Sequence, residues 1–290
     1  MLPVGKFRRQ VEYLKGRYEI LPLDTAFDSS PPGSRKPRAI LTFDDGDVGL
    51  HTHLLGAIRE LKVPVTLYVA TRQIVEQKPF WVDRIMNAMQ TRQPFTIDLQ
   101  EIGLGTWTVG QFRGDANWTA VSGILEALKT LKPQDREANC DRILRQAHNA
   151  PAVPITPLPR CKSINFRSWR TAAGSPSLPT AADCRWVTIA AHSHCHNHLD
   201  QMPIEDAAES IEKSRQLLEE WTGRQVRHFA YPYGNHTPAL ENLIERMGFR
   251  SAAALGMALW NGHSDAYRLP RVVVGRYDSL DRFKLRLVGF

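Results

Sequence analysis

Arg38-Ala39-Ile40-Leu41-Thr42-Phe43-Asp44-Asp45-Gly46 is the stretch on which the reading of this chain turns. An apolar run containing a β-branched residue, stopped by Asp-Asp-Gly and followed by a helical pattern, reads as a buried strand that delivers two carboxylates to its C-terminal edge. In open and barrel-like α/β sheets, that edge is where ligands bind. Neighbouring residues of an extended chain point to opposite sides, so one of Asp44 and Asp45 can bind a cation while the other handles a proton. The competing reading is a plain turn, since Asp and Gly favour turns for backbone reasons alone.

Trp186-Val187-Thr188-Ile189-Ala190-Ala191 repeats the pattern and runs into His192-Ser193-His194-Cys195-His196-Asn197-His198. His192 and His196 are spaced so that both imidazoles reach one cation from a turn or a first helical turn, a common zinc spacing. A catalytic zinc keeps three protein ligands and an open position, which leaves no need for Cys195. A third short strand, Arg227-His228-Phe229-Ala230, meets Tyr231-Pro232-Tyr233-Gly234, where the stop exposes backbone N–H groups suited to a developing oxyanion. An ordinary aromatic turn is the alternative there.

Helical faces recur between these strands: Leu54, Leu55, Ile58 and Leu61; then 204–221, with Ala207, Ala208, Ile211, Leu218 and Trp221 on one stripe and Gly223 as the stop; then 239–247 before Gly248. The acidic side chains Glu209, Glu212, Glu219 and Glu220 read as a solvated face. This alternation predicts an α/β protein with one domain over 1–290, carrying an inserted helical or lid segment at about 78–179. The insertion has helical patterns at 81–89 and 121–131, a Pro-rich connection at 151–159, and Trp81, Trp107, Trp118 and Trp169 as candidates for stacking on sugar rings.

At 290 residues with 42% hydrophobic and 23% charged side chains, the chain can bury a substantial single core. No apolar run is long enough for a membrane span, and the first residues lack a signal-peptide core; the expected location is the cytoplasm. Cys140, Cys161, Cys184 and Cys195 have no CxxC pairing and read as free thiols. The net charge of +7 is dispersed from Lys6 to Arg286, without the basic block interleaved with aromatics that nucleic-acid binding requires. An anionic glycan, a sugar nucleotide or a lipid-phosphate head group would use the same charge.

Thr42 to Gly46, His192 to His196 and Pro232 to Gly234 together resemble the three leading motifs of the polysaccharide deacetylase family, also called NodB-homology domains or carbohydrate esterase family four. The resemblance extends through 7–23, through 63–69 and to Leu269-Pro270-Arg271, and Phe80 to Arg84 is similar to members associated with bacterial surface polysaccharides. It implies a distorted (β/α) barrel that removes N-acetyl groups from an amino sugar or glycan intermediate. By resemblance, Asp44 is the general base, and Asp45, His192 and His196 hold a divalent metal, zinc first, with cobalt, nickel or manganese as alternatives. Tyr233 would supply the oxyanion N–H.

Two departures from the family pattern stand out. Ala230 occupies the position where many members carry an Arg that orients the catalytic Asp; Arg271 is the candidate to restore that cation. The late Leu-x-His that usually supplies the general acid is also missing, which leaves His263 as a candidate acid, alongside His194 and His198. The strand ending in Tyr-His that usually precedes the first helix is not seen either; a fold without it exposes a sheet edge that a second subunit of a homo-oligomer would cover. A deformylase or other C–N amide hydrolase is the alternative within the fold. An inactive glycan-binding or scaffold relative is the alternative outside enzymology.

Overall fold

Nine short strands organise this computed structural model, which describes residues 3–27, 36–46, 49–89, 94–110, 115–149, 186–256, 258–260 and 265–289. In chain order they are β1 (Glu19–Ile20), β2 (Arg38–Ala39), β3 (Leu41–Phe43), β4 (Val65–Val69), β5 (Phe95–Leu99), β6 (Gly105–Val109), β7 (Val187–Ala191), β8 (His228–Ala230) and β9 (Ser251–Ala253). The described residues fall into two compact units, one drawn from 1–76 and 163–290 and the other from 77–162.

The first unit is built on the parallel sheet β3-β4-β7-β8-β9, an open half-barrel of the expected α/β class, with β1 pairing β2 in parallel beside it. Every residue of β4 is buried, as a central strand covered on both faces requires. Side chains alternate between two cores. Val65, Leu67, Val69, Val187, Ala191 and Phe229 pack outward against the helices, including Ile204–Thr222, whose buried stripe is Ala207, Ser210, Ile211, Ser214, Leu218 and Trp221. Tyr68, Ala190, Ala230, Ala253 and Leu269 face the other way with Leu23 and Ala26. Gly223 ends the Ile204–Thr222 helix in a left-handed conformation, donating its N–H to Glu219 O at 2.8 Å. Glu219 departs from the expected solvated face: its Oε1 accepts the Val226 N–H at 2.9 Å and so fixes the entry to β8.

The N-terminal ends of β8 and β9 are tied to the turn Leu23–Phe27. His228 shares a hydrogen bond with Ser251 Oγ through Nδ1 at 2.8 Å and with Asp24 Oδ1 through Nε2 at 3.1 Å. Arg250 donates to Asp24 O at 2.7 Å, and the Phe27 ring lies nearly parallel to the His228 ring.

The second unit packs the helices Trp81–Ala88, Asp115–Lys129 and Pro133–Asn149 around the antiparallel hairpin β5–β6, with Ile85, Met89, Ile97, Leu99, Ile124 and Ile143 in its core. The hairpin alternates with period two, as Phe95-Thr96-Ile97-Asp98-Leu99 and Gly105-Thr106-Trp107-Thr108-Val109, whereas the helix Pro133–Asn149 has weak apolar periodicity. Trp81, a candidate for sugar stacking, is instead a core residue at 6% exposure. Trp107 donates its Nε1–H to Leu104 O at 2.7 Å and packs partly buried on the same core, while Trp118 is exposed. Trp169, the 151–159 connection, Cys161 and Cys184 lie outside the described residues; Cys140 and Cys195 are free thiols. No helix among the described residues is long and apolar enough to cross a membrane.

Candidate metal centre

The C-terminal ends of β3, β4 and β7 stay in register beyond the strands themselves. Ala70 N–H donates to Asp45 O at 3.4 Å across β3 and β4, and across β4 and β7 His192 N–H donates to Val69 O at 3.0 Å, Thr71 N–H to Ser193 O at 3.3 Å and Arg72 N–H to His194 O at 2.9 Å. This brings the Asp-Asp-Gly and His-rich segments to the same edge.

There Asp45, His192 and His196 form a three-residue group whose donor atoms all lie within 4.8 Å of one another. Asp45 Oδ1 is 3.5 Å from His192 Nε2 and 3.0 Å from His196 Nε2. Nitrogen and oxygen ligands bonded tetrahedrally to a divalent ion at about 2.0–2.2 Å sit roughly 3.3–3.6 Å apart, close to both Asp45–His separations, so these residues fit such an ion. His192 is 2% exposed, and its Nδ1 donates to Ala230 O at 2.8 Å, which leaves Nε2 as the atom directed to Asp45. Burial opposes protonation of His192, but the hydrogen bond to Asp45 and the charges of Asp44 and Asp45 outweigh it and raise its pKa. Asp45 is desolvated by its surroundings, yet the hydrogen bonds and positive charge of His192 and His196 hold it well below the ordinary carboxylate range.

Local backbone geometry is unusual here. Asp45, Ser193, His196 and Tyr233 all have positive φ, between 51° and 74°. Left-handed conformations strain residues with a Cβ and are held only where the surroundings over-determine them. Ser193 Oγ accepts the His196 N–H at 3.0 Å, and Ser210 Oγ accepts the N–H groups of His194 and Cys195 at 3.1 Å each. Cys195 Sγ receives a hydrogen bond from the same hydroxyl and stands outside the ligand group.

Asp44 has a different partner. Arg271 donates from Nη1 to Asp44 Oδ1 at 2.6 Å and from Nη2 to Oδ2 at 2.9 Å, while its Nε donates to Ala254 O at 3.1 Å. This is a bidentate fork with the guanidinium mostly buried and its carbon 5.6 Å from the centre of the Tyr68 ring. Burial works against the Arg271 charge, and Asp44 more than restores it, raising the pKa. The small side chains of Ala190, Ala230 and Ala253 belong to the same core as Tyr68. A cleft of about 1230 Å³ is lined by Asp44, Asp45, Tyr68, Leu255 and Arg271, among others.

Tyr233 lies in the turn Pro232–Gly234, its ring 5.0 Å from that of His196. Gly234 has φ +75°, and a Cβ there would meet Leu255 N at 2.5 Å, so only glycine fits. His194 faces away into a hydrogen bond between its Nδ1 and Thr71 Oγ1 at 2.8 Å. His198 stacks on Tyr233. His263 lies outside the described residues. Sequence reasoning missed the Ala230 carbonyl, Ser210 and Thr71 as supports of the histidine loop. The last two are ordinary small polar residues, and a carbonyl leaves no trace in residue type.

A family model described as polysaccharide deacetylase matches residues 32–132 and 171–252. Among solved structures, a deacetylase PplD of Streptococcus pyogenes in complex with acetate is similar at 11% identity and a TM-score of 0.56, over 98% of this chain and 87% of that one. IcaB from Ammonifex degensii is similar at 16% identity and a TM-score of 0.51, over 97% and 88%. A de-N-acetylase from Aggregatibacter actinomycetemcomitans is similar at 11% identity and a TM-score of 0.53, over 97% and 87%. At such identities the likeness is one of fold. No curated protein matches the chain at a significant level.

Proposed function

We propose a function that starts from one premise: this chain belongs to the polysaccharide deacetylase family. On that footing it is a metal-dependent hydrolase that removes N-acetyl groups from an amino sugar or glycan intermediate, with a role in bacterial surface-polysaccharide metabolism. The observation that carries the reading is the convergence of Asp45, His192 and His196 on one point beside an Asp44 held by Arg271.

A divalent cation held by Asp45, His192 and His196, zinc or else cobalt, nickel or manganese, would supply Lewis-acid polarisation and a water acidic enough to react near neutral pH. Asp44 then takes the proton of the attacking water on a carboxylate oxygen. Arg271 grips both oxygens of Asp44 and fixes their direction, the task that an Arg at position 230 performs in other members, which supports a working hydrolase over an inactive glycan-binding relative. Tyr233 N–H is the oxyanion donor, worth about 3 kcal/mol where single donors of this kind have been removed. His192 keeps its donor nitrogen aimed through the hydrogen bond from Nδ1 to Ala230 O. The leaving amine needs a proton, for which His263 remains a candidate.

The test is acetate and formate release by metal-reconstituted protein on N-acylated sugars, sugar nucleotides and short oligosaccharides. Release that vanishes in Asp44→Asn supports the hydrolase, and formate in place of acetate would make it a deformylase. Stoichiometric metal without release on any of these substrates would instead favour the inactive relative.

A further inference from the structure

His198, in the His-rich run, lays its ring flat on another aromatic side chain. The His198 and Tyr233 rings are 3.9 Å apart at an interplanar angle of 6°, a closely stacked pair. The Tyr233 ring also lies 5.0 Å from that of His196, tilted by 58°. The tyrosine is therefore held between a proposed metal ligand and the residue two positions after it.

Both ends of the stack are anchored. The His198 side chain is 12% exposed, with Nδ1 3.8 Å from Asp200 Oδ1 and 3.4 Å from Asn235 Nδ2. Asn235 also reaches Asp200 Oδ2 at 3.4 Å, and it directly follows the turn that carries Tyr233. Leu199, 1% exposed, roots the loop in the main core. The loop 192–200 and the turn 232–235 are thus joined by ring stacking and by polar contacts on its flank.

Tyr233 is where such a joint is needed. Its backbone lies at φ 59° and ψ 1°, a conformation that disfavours residues with a Cβ and persists when neighbours enforce it. Gly234 beside it is left-handed too but carries no side chain to grip. The phenol ring is the handle available within the turn, and His198 covers one face of it.

We propose that His198 is a positioning residue: by stacking on Tyr233 it holds the turn 232–234 in its left-handed conformation and couples the oxyanion N–H to the metal-binding loop. The role is one of shape and contact, not of proton transfer, because a flat aromatic ring is what the geometry uses. The inference rests on the hydrolase reading above for its consequence in turnover, whereas the stacking itself can be tested without it.

The experiment compares full-length wild type, His198→Ala and His198→Phe by two readouts. Amide hydrogen exchange at Gly234, whose N–H is bonded to Tyr231 O at 2.8 Å across the turn, is expected in metal-free protein to speed up in His198→Ala and to return towards wild type in His198→Phe. With metal restored, His198→Ala should lose roughly 10- to 100-fold in kcat, since a misplaced oxyanion donor acts in the transition state, with KM within about twofold and metal stoichiometry intact. His198→Phe should recover most of that loss. Unchanged exchange in His198→Ala, or a Phe variant as impaired as Ala, would overturn the proposal, the second outcome pointing to imidazole chemistry. A wild type without turnover on any N-acyl sugar would fail the hydrolase reading, and the exchange data would still decide the stacking.

Discussion

The two ends of the five-stranded sheet each bury a histidine against an aspartate, and they have opposite characters. At the C-terminal end His192 faces Asp45, and the carboxylates win over burial and raise its pKa. At the N-terminal end His228 faces Asp24, and there burial, aided by Arg250 and Arg227, wins over the carboxylate and lowers it. His228 has partners on both nitrogens, Ser251 and Asp24, and none of the three residues has positive φ. His192 instead aims one nitrogen at a point shared with two other donors, beside a backbone strained at Asp45, Ser193, His196 and Tyr233. A buried His–Asp contact is therefore no mark of a site. Convergence of further donors and tolerated strain are what set one apart.

The contrast breaks most visibly if both ends respond alike to mutation. His192→Ala or Asp45→Asn should abolish stoichiometric metal binding and lower turnover by about three orders of magnitude, the scale on which an activated water is lost. Asp24→Asn should leave metal content at wild-type level, and elemental analysis after dialysis would expose a failure of either half. Next in size is Arg271→Met: kcat should fall about 100-fold with little change in KM, as expected when a bidentate contact orients the base. Full turnover in that variant would remove Arg271 from the mechanism.

At the opposite end, His228→Ala should cost about 2 kcal/mol of stability by stranding Ser251 Oγ and Asp24, without change in metal affinity. Urea unfolding paired with metal titration checks both statements, and an equal loss of metal would show that the two ends are coupled. The smallest expected effect concerns His194, which burial, with Lys213 and Arg72 nearby, pushes down to about 4. An unfolded histidine titrates near 6.5, so between those pH values the unfolded state binds more protons and stability falls as pH falls. In His194→Gln the metal-free protein should lose less stability between pH 8 and pH 5 than wild type does; parallel curves would rule out this source of acid sensitivity.

Much of this was legible in the sequence for a physical reason. Strands such as 65–69 and 187–191 are apolar runs that end in chemistry-bearing residues, and the helix from Ile204 repeats its apolar stripe over five turns. What stayed hidden depends on partners rather than on pattern. Arg271 is singled out by the resemblance and not by its local pattern, which is that of any surface arginine; its fork on Asp44 exists because the chain returns beside β3. The β5–β6 hairpin is short and lies within a stretch read as helical; its signal is the alternation over Phe95–Leu99, with Phe95, Ile97 and Leu99 turned to the core and Thr96 and Asp98 outward. Trp81 shows the converse: residue type suggested a ligand, and packing made it core.

Asp45 precedes the 77–162 unit and His192 and His196 follow it, so about half of the chain separates the two parts of the proposed ligand set. A cation gripping all three would be a removable clasp across a very long loop, and the closure entropy of such a loop changes only slowly with its length. A protein nicked within 77–162 would carry the proposed ligands on two fragments, joined by the β4–β7 ladder, by the shared core of the first unit and by the ion. Chelation would then loosen one of the three joints left after a silent backbone break, making the nick visible as a loss of stability.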